Sequence, residues 1–407
     1  MKKVDVLIYI EHVAREILVA TVTKYYLERE GFSVLIESLP LKKHNVACKN
    51  PRLILFPYFY TIDNIVLRRI AERFPDSVYL NFNYEQFFSR LLSKYKAPKG
   101  DYVLNKVYHL SWSKDFSRFL SDNGVKRDHI FEVGSLPLTL MRTPYSNIFK
   151  TRNELAKEYN LDSEKKWIFF PENYAWAFLT IGEIMARVRL GYSPYFAIYN
   201  KLFYVKSYRR VLLWLKSLNP DEFEIILRPR PAISSDEHAV FIKKTLKHLP
   251  QSLHIIREED MRAWILSNDV IISSISTGLL DAISVSKPSY RLEPFKTASH
   301  LRVEAMATIP KLTDERKFIS AMHNPRVQTL QREMASILAP SGDPIVKSII
   351  VIKNLLKKGK PISFQARSSS KRVHESSDKE IKKRFSSDYF DQRYIDDLTR
   401  KWRKILN

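Results

Sequence analysis

Residues 268–288, NDVIISSISTGLLDAISVSKP, contain one complete unit of the fold that the sequence predicts. The apolar run that ends at Ser273 is typical of a buried parallel strand. A stretch with helical spacing begins at Gly278, and a Lys-Pro pair ends it. Because a strand, a short turn and a helix form the repeating element of doubly wound sheets, this stretch indicates an α/β protein.

The same alternation of strand and helix signals runs through most of the chain. It begins with the apolar strand VDVLIYI, residues 4–10, and a helix that ends near Gly31. A charged, mostly helical connector at 146–166 divides the alternation into two series. The sequence therefore predicts two doubly wound, Rossmann-like domains facing a cleft, at 1–145 and 167–358.

The C-terminal part of the chain has a different composition. We expect IVKSIIVIKNLLKK, residues 345–358, to be a helix that completes the second domain. Residues 359–407 are predicted to be a polar linker followed by a basic, amphipathic helical tail. Apolar residues recur at helical spacing within this tail, at Tyr394, Ile395, Leu398, Trp402 and Ile405.

The net charge points to anionic partners. The 407 residues include 67 lysines and arginines against 44 aspartates and glutamates, which gives +23 at pH 7. Such an excess favours nucleic acid, a phospholipid surface or phosphate-bearing substrates. Cys48 is the single cysteine, so neither an intrachain disulfide nor a cysteine-based zinc site is expected. The histidines show no paired ligand spacing, so no metal and no cofactor are predicted.

Neither a signal peptide nor a membrane span is predicted. Glu11 and His12 interrupt the first apolar run, which makes it too short for the core of a signal peptide. No stretch reaches the ~18 uncharged apolar residues that a spanning helix needs. We therefore expect a cytoplasmic protein that contacts a membrane only at its surface.

A cluster of hydroxyl residues follows the strand of the first quoted stretch, with Ser274, Ser276 and Thr277 just before Gly278. A strand that leads through small polar residues into a helix is a phosphate-binding geometry, because free N–H groups and the helix dipole favour an anion. Glycine at the helix start lets an anion approach the backbone. An ordinary Ser/Thr helix cap would give the same residues, and that interpretation stays open. The absence of a Gly-Lys-Ser/Thr sequence disfavours a P-loop.

A second anion site is indicated by EIILRPRP, residues 224–231. Arg228 and Arg230 follow a buried strand, and open α/β sheets bind ligands at the carboxyl ends of their strands. Guanidinium groups suit phosphate or carboxylate, and the two prolines fix the turn. Two solvated arginines in a loop remain the alternative.

Candidate general bases lie in the first domain. Glu11 and His12 stand at the carboxyl end of the first strand, where a carboxylate or an imidazole could accept a proton. Glu85, in NFNYEQF, ends another strand and is a rival. Glu11 and Arg15 could also form an ordinary i,i+4 ion pair.

The stretch 184–220 contains seven lysines and arginines and no aspartate or glutamate. Tyrosine, phenylalanine and tryptophan residues are interleaved with them. Basic and aromatic residues on helices suit a membrane interface, and they also suit single-stranded nucleic acid. A helical insertion whose aromatic residues are simply core remains the third interpretation.

Taken together, these motifs resemble the GT-B glycosyltransferases, and more closely the bacterial proteins that synthesise the surface carbohydrates capsule and lipopolysaccharide. In that group a first strand ends in Glu followed by Arg-Glu, as in IEHVARE, residues 10–16. An Arg-Pro-His-Pro turn and a Ser/Thr-Gly turn with Asp-Ala and Lys-Pro occur further along. In this chain Arg230 stands in place of the histidine. The resemblance covers roughly residues 4–300 and depends on short, spaced motifs.

The resemblance implies roles for particular residues. The second domain would hold a nucleotide-sugar donor, and the first domain would hold the acceptor with Glu11 as its base, Glu85 and His12 being rivals. GT-B enzymes of this type generally work without a metal. The implied donor-binding residues are Arg228, Arg230, Ser274, Ser276, Thr277, Gly278 and, from the segment FPENY, Glu172 and Asn173.

The predicted function is therefore a nucleotide-sugar-dependent glycosyltransferase that extends a lipid-linked bacterial surface polysaccharide. Related families with the same turn, the polysialic acid and Kdo transferases, use CMP-sugars, which suggests a CMP-linked donor. We expect the protein to be peripheral on the inner face of the cytoplasmic membrane, with the anionic lipid surface and a saccharide acceptor as further partners. The alternatives are a polyol-phosphate transferase that uses CDP-glycerol, as the related teichoic-acid polymerases do, a basic nucleic-acid-binding protein, and a non-catalytic subunit of polysaccharide assembly.

Overall fold

The computed structural model shows two compact units. The first comprises Met1–Ile148 together with Gln331–Asn407, and the second comprises Phe149–Leu330. The structure describes residues 2–39, 48–87, 90–189, 191–230, 233–328, 342–358 and 390–407. Most of the predicted polar linker, and Pro231 in the Pro-Arg-Pro turn, lie outside the described residues.

The first unit contains a six-stranded, fully parallel sheet with the order β3-β2-β5-β6-β7-β8. Its strands are apolar and, from β2 to β7, largely buried, which is the pattern of a sheet covered on both faces. The strands are β2 Val6–Ile10, β3 Val34–Ser38, β5 Leu53–Phe56, β6 Val78–Asn81, β7 Val107–Ser111 and β8 Ile130–Glu132, and a separate short pair joins β1 Lys2–Lys3 to β4 Cys48–Lys49.

Helices alternate with these strands. The first helix, α1, follows β2 directly, and its side chains are almost all buried from Glu16 to Leu27. Asn64 and Ser113 cap the N-termini of the second and fifth helices through side-chain oxygens, as residues of this type do at helix starts. The helices are α1 Val13–Arg29, α2 Ile65–Arg73, α3 Arg90–Lys96, α4 Asp101–Lys106, α5 Lys114–Asp122 and α6 Leu136–Thr139.

The second unit repeats the architecture with the parallel strand order β11-β10-β9-β12-β13-β14. Its strands are β9 Lys166–Pro171, β10 Phe223–Arg228, β11 Leu253–Ile255, β12 Val270–Ser273, β13 Ser289–Leu292 and β14 Lys311–Leu312. Its helices are α7 Arg152–Tyr159, α8 Ala175–Phe178, α9 Ile181–Arg189, α10 Pro194–Lys216, α11 Ser235–Leu246, α12 Met261–Ser267, α13 Gly278–Ser284 and α14 Glu315–His323. The predicted pair of doubly wound α/β sheets is thus confirmed.

The last two helices that the structure describes both belong to the first unit. Helix Pro344–Lys358, which we expected to complete the second domain, packs against α1 and α6 of the first unit. Its apolar side, which includes Ile345 and Ile352, is fully buried there. The predicted C-terminal amphipathic helix is present as Gln392–Leu406 and also lies against α1. Within the described part of the chain, no helix is both long and apolar enough to cross a bilayer.

Candidate functional site

Three neighbouring strands of the second unit bring the predicted donor-binding residues to one edge of the sheet. β9 lies between β10 and β12, and all three run parallel. Glu172 and Asn173 follow β9, Arg228 ends β10 and Arg230 comes two residues later, and the hydroxyl cluster begins at the end of β12. The carboxyl edge of such a sheet is where open α/β folds bind ligands.

Asn173 connects these three strand ends. Its Oδ1 accepts a hydrogen bond of 2.6 Å from Arg230 Nη1, and its Nδ2 donates to the carbonyl of Ile275. Glu172, the residue before Asn173, is also held in place, because its N–H group donates to the Arg228 carbonyl at 3.0 Å. The side chain of one asparagine therefore sets the position of the arginine turn relative to the hydroxyl turn.

The two arginines have different surroundings. Arg228 is half-buried and donates from Nη2 to the carbonyl of Glu259 at 2.9 Å. Burial lowers the pKa of its guanidinium, and the Asp260 carboxylate opposes that shift. Arg230 is exposed, and only part of its donor set is used by Asn173. Arg230 is therefore the more accessible cation at this edge, and Arg228 anchors the turn to the segment before α12.

The hydroxyl cluster divides into three environments. Ser273 is a strand residue, and its Oγ donates to the Pro171 carbonyl at 2.6 Å. Ser274 is buried, and its Oγ makes no hydrogen bond of normal geometry with any described residue. Ser276 Oγ accepts from the Gly278 N–H at 3.3 Å, whereas Thr277, the N-cap residue, is exposed and caps no described N–H group. Ser276 makes a local cap, the Ser274 hydroxyl lies next to the Tyr174 hydroxyl, and Thr277 keeps an exposed hydroxyl that caps no described N–H group.

Gly278 has a packing role that the sequence did not indicate. A Cβ at this position would lie 3.3 Å from Met261 Sδ and 3.4 Å from Ser276 Oγ. The glycine is buried and its φ is not positive. Its missing side chain therefore lets α13 approach α12, and its N–H group is already bonded to Ser276.

A buried polar chain supports the residue after β9. Glu172 accepts from the Tyr174 N–H, and its Oε2 lies 3.3 Å from His238 Nε2. The other ring nitrogen, Nδ1, is 2.9 Å from the Tyr208 hydroxyl. The Glu172 side chain and His238 are fully buried. We did not predict His238, although its place one turn into a helix that starts with the Ser234–Glu237 capping box was a usable signal.

A narrow recess lies next to Ser274. Aromatic rings and hydroxyls line it, and the buried Oγ atoms of Ser207 and Ser274 make no hydrogen bond of normal geometry with any described residue. Burial also raises the pKa of the Tyr174 phenol. Its walls include Tyr174, Phe203, Tyr204, Ser207, Ser274 and Phe295.

In the first unit, Glu11 follows β2 as predicted and has several partners. The Tyr58 hydroxyl donates to its Oε1 at 2.9 Å. Its Oε2 lies 3.6 Å from both His12 Nε2 and Arg15 Nη2, so the anticipated i,i+4 pair is present at long range. The buried Glu16 carboxylate holds the turn by accepting the Glu11 N–H at 2.7 Å. Burial raises the pKa of Glu16, and the charge of Arg15 opposes this shift.

Glu85 is held by two cations. Arg15 and Lys96 both donate to its carboxylate. Burial by itself would raise the pKa of Glu85, but the charges of Arg15 and Lys96 hold it below its usual range. A carboxylate with two close cations is a weak proton acceptor. Among the described residues, no group of three or more His, Cys, Asp and Glu side chains could hold a metal ion.

Comparison with solved structures identifies the fold as GT-B. The UDP-GlcNAc 2-epimerase of Neisseria meningitidis bound to UDP-GlcNAc aligns at a TM-score of 0.50 and 14% identity, over 88% of this chain and 100% of that one. The MnaA–UDP structure of S. aureus gives 0.51 and 13%, over 90% and 100%. The wall teichoic acid polymerase TagF gives 0.53 and 12%, over 88% and 89%. No protein-family profile matches the sequence. No curated protein matches it either.

Proposed function

We propose that the protein is a glycosyltransferase that moves a sugar from a nucleotide-sugar donor to a lipid-linked bacterial surface polysaccharide at a membrane surface. The observation that carries this proposal is the Asn173 link, which joins Arg230 to the hydroxyl turn at the carboxyl edge of the second sheet. An exposed guanidinium at the same sheet edge as the exposed Thr277 hydroxyl suits the phosphates of a nucleotide. Two proteins of the same fold were solved with UDP or UDP-GlcNAc, which supports a nucleotide-sugar donor.

The chemistry assigns a role to each part. The acceptor hydroxyl oxygen bonds to the anomeric carbon as the bond from that carbon to the donor phosphate breaks. The nucleotide leaves with the bonding electrons, and Arg230 and Arg228 stabilise its charge together with Ser274, Ser276 and Thr277. Glu11 accepts the acceptor's proton. The rings and hydroxyls that line the narrow recess beside Ser274 would contact one edge of the nucleoside or the sugar.

A thermal-shift screen of free nucleotides tests the donor site. CMP, UDP and GDP are added to the full chain, and the nucleotide that matches the donor raises the melting temperature because it binds only the folded state. We expect CMP to give the largest shift. Arg230→Gln should reduce the shift, whereas Lys243→Gln on exposed α11 should leave it unchanged. No shift with any nucleotide would contradict a nucleotide-dependent enzyme.

A donor panel then identifies the reaction. CMP-, UDP- and GDP-sugars are compared with CDP-glycerol, because TagF, a teichoic acid polymerase solved with CDPG, favours a polyol-phosphate transferase as the second candidate. Product analysis also detects epimerisation of UDP-GlcNAc, the reaction named for other neighbours. Glu11→Gln should abolish transfer while nucleotide binding persists, and Glu85→Gln should retain transfer. The opposite pattern would move the base to Glu85.

A further inference from the structure

Helices α9 and α10 expose an unusual set of apolar side chains. Ile181 is 78% exposed, Tyr195 is 80% exposed and Leu202 is 62% exposed. Single exposed apolar residues are ordinary, but a contiguous apolar surface marks an interaction site. We call this set the apolar tip, and it consists of Ile181, Met185, Tyr192, Tyr195, Ile198, Tyr199 and Leu202.

The apolar tip is one side of a helix whose other side is core. Tyr195, Ile198, Tyr199 and Leu202 recur at intervals of three and four, which places them on one face of α10. Side chains on the opposite face, such as Tyr204 and Tyr208, are buried in the second unit. The aromatic residues of this stretch therefore divide into a packed group and an outward group, and the core interpretation explains only the first.

Basic residues continue the exposed face beyond the tip. Lys206, Arg209 and Arg210 are exposed on α10. At ~1.5 Å per residue, Lys206 lies about 6 Å along the helix from Leu202, and the α10 part of the tip spans about 10 Å. The acidic residue beside the tip, Glu183, is engaged with the Thr180 N–H and hydroxyl at the start of α9. The apolar side chains of the tip are therefore followed, within about 6 Å along α10, by positively charged side chains on the same face.

We propose that the apolar tip inserts into an anionic lipid bilayer while the basic residues of α10 bind the headgroups. Amphipathic helices lie in the interface with one apolar face buried ~5–10 Å, and the placement of the tip on one face of α10 fits this mode. Lysine and arginine near an anionic leaflet add attraction. Nucleic acid fits less well, because bases could stack only on the three tyrosines of the tip, and its other four side chains carry no ring. The inference rests on the proposed function in one respect, since a lipid-linked acceptor has to be reached at a bilayer.

Vesicle flotation of the full chain tests this surface. Wild type should float with phosphatidylcholine vesicles that contain about a third phosphatidylglycerol and much less with pure phosphatidylcholine. Ile198→Ser with Leu202→Ser should lower the partition coefficient at least tenfold, because two exposed apolar side chains no longer insert. The matched control is Val240→Ser, which removes a 66% exposed apolar side chain from α11 of the same unit.

A second pair of variants tests the contribution of the basic residues of α10 to vesicle binding. Lys206→Gln with Arg209→Gln should lower binding to anionic vesicles roughly tenfold and should leave binding to neutral vesicles unchanged. Lys243→Gln with Lys244→Gln removes two exposed charges from α11 and should have a smaller effect. As a reporter that needs no loss of binding, the fluorescence that Tyr195→Trp adds to that of the six native tryptophans should be quenched by brominated lipid, whereas the fluorescence that Val240→Trp adds should not.

Three results would overturn the proposal. They are absence of flotation with anionic vesicles, equal loss in the Val240→Ser control, and tight oligonucleotide binding that the tip variants abolish. The nucleotide thermal shift of the tip variants separates this inference from the proposed function. An unchanged shift with lost flotation supports both proposals, and an unchanged shift with normal flotation refutes only the membrane surface.

Discussion

Asn173 gives the sharpest test of the donor site, because its two hydrogen bonds have different chemistry. Asn173→Ala removes the bonds to Arg230 and to the Ile275 carbonyl. Bonds that involve a charged group contribute about 1.5–3 kcal/mol and neutral ones about 1 kcal/mol, with the exposed arginine at the lower end. We expect a stability loss of about 2–3 kcal/mol and a roughly tenfold weaker nucleotide affinity, because the two turns lose their fixed spacing.

Asn173→Asp should weaken nucleotide binding further. It keeps an acceptor for Arg230, but it places a carboxylate against the Ile275 carbonyl and adds a negative charge beside the bound phosphate. Two like charges roughly 6 Å apart repel by about 3 kcal/mol at an effective dielectric constant of ~20, which corresponds to roughly a hundredfold in affinity. Salt should reduce this penalty, since screening acts on the charge alone.

Titration calorimetry with the nucleotide from the thermal-shift screen measures both variants, and urea unfolding measures their stability. The matched control is Gln251→Glu, which adds the same charge to an exposed position before β11, at the amino end of the sheet. Equal affinities for wild type, Asn173→Ala and Asn173→Asp would show that the Asn173 link does not organise a nucleotide site. An equal loss in Gln251→Glu would show that net charge alone explains the result.

Three further predictions concern stability. Burial raises the pKa of Asp281 to about 6 from 3.8, so the ionised carboxylate opposes folding at neutral pH, and this cost fades as the pH falls from about 6 to about 4; Asp281→Asn should therefore add about 2–3 kcal/mol in urea unfolding at pH 7.5 and much less at pH 4. His238→Ala should cost about 3 kcal/mol because the buried Glu172 carboxylate loses the ring 3.3 Å away, and a loss below about 1 kcal/mol would contradict a tightly packed chain. Gly278→Ala should cost about 1–2 kcal/mol by overpacking against the Met261 sulfur, and the cost should shrink in a Met261→Ala background, as a double-mutant cycle measures.

The sheets were predictable because their signal is local. Continuous apolar runs such as 4–10 and 268–273 can be satisfied only by burial on both faces, and helices with capping residues separate them. Helix Pro344–Lys358 shows where this reasoning ends. The apolar side of this helix indicates that it is buried, but it could pack against either sheet. We assigned it to the second domain because that domain precedes it directly in the sequence. The structure places it on α1 of the first unit.

The donor edge was only partly predictable, because its geometry depends on contacts between distant residues. The rule that parallel strands end at one edge correctly grouped Arg230, Ser274 and Asn173. It did not distinguish Arg228, which turns toward the Glu259 carbonyl, from exposed Arg230. It also gave no indication that His238 would support Glu172, since the helix that carries His238 is placed by packing.

The first unit shows how neighbouring carboxylates acquire different capacities for protons. Glu16 is fully buried and accepts two backbone N–H groups, so it holds the turn. Glu85 is paired with two cations that lower its pKa. Glu11 accepts a hydrogen bond from the Tyr58 hydroxyl, and its other oxygen lies 3.6 Å from Arg15 Nη2. Of the two predicted carboxylate candidates, Glu85 has two close cations and Glu11 has, among the described residues, none nearer than 3.6 Å, so Glu11 stays the better supported base for the proposed proton transfer.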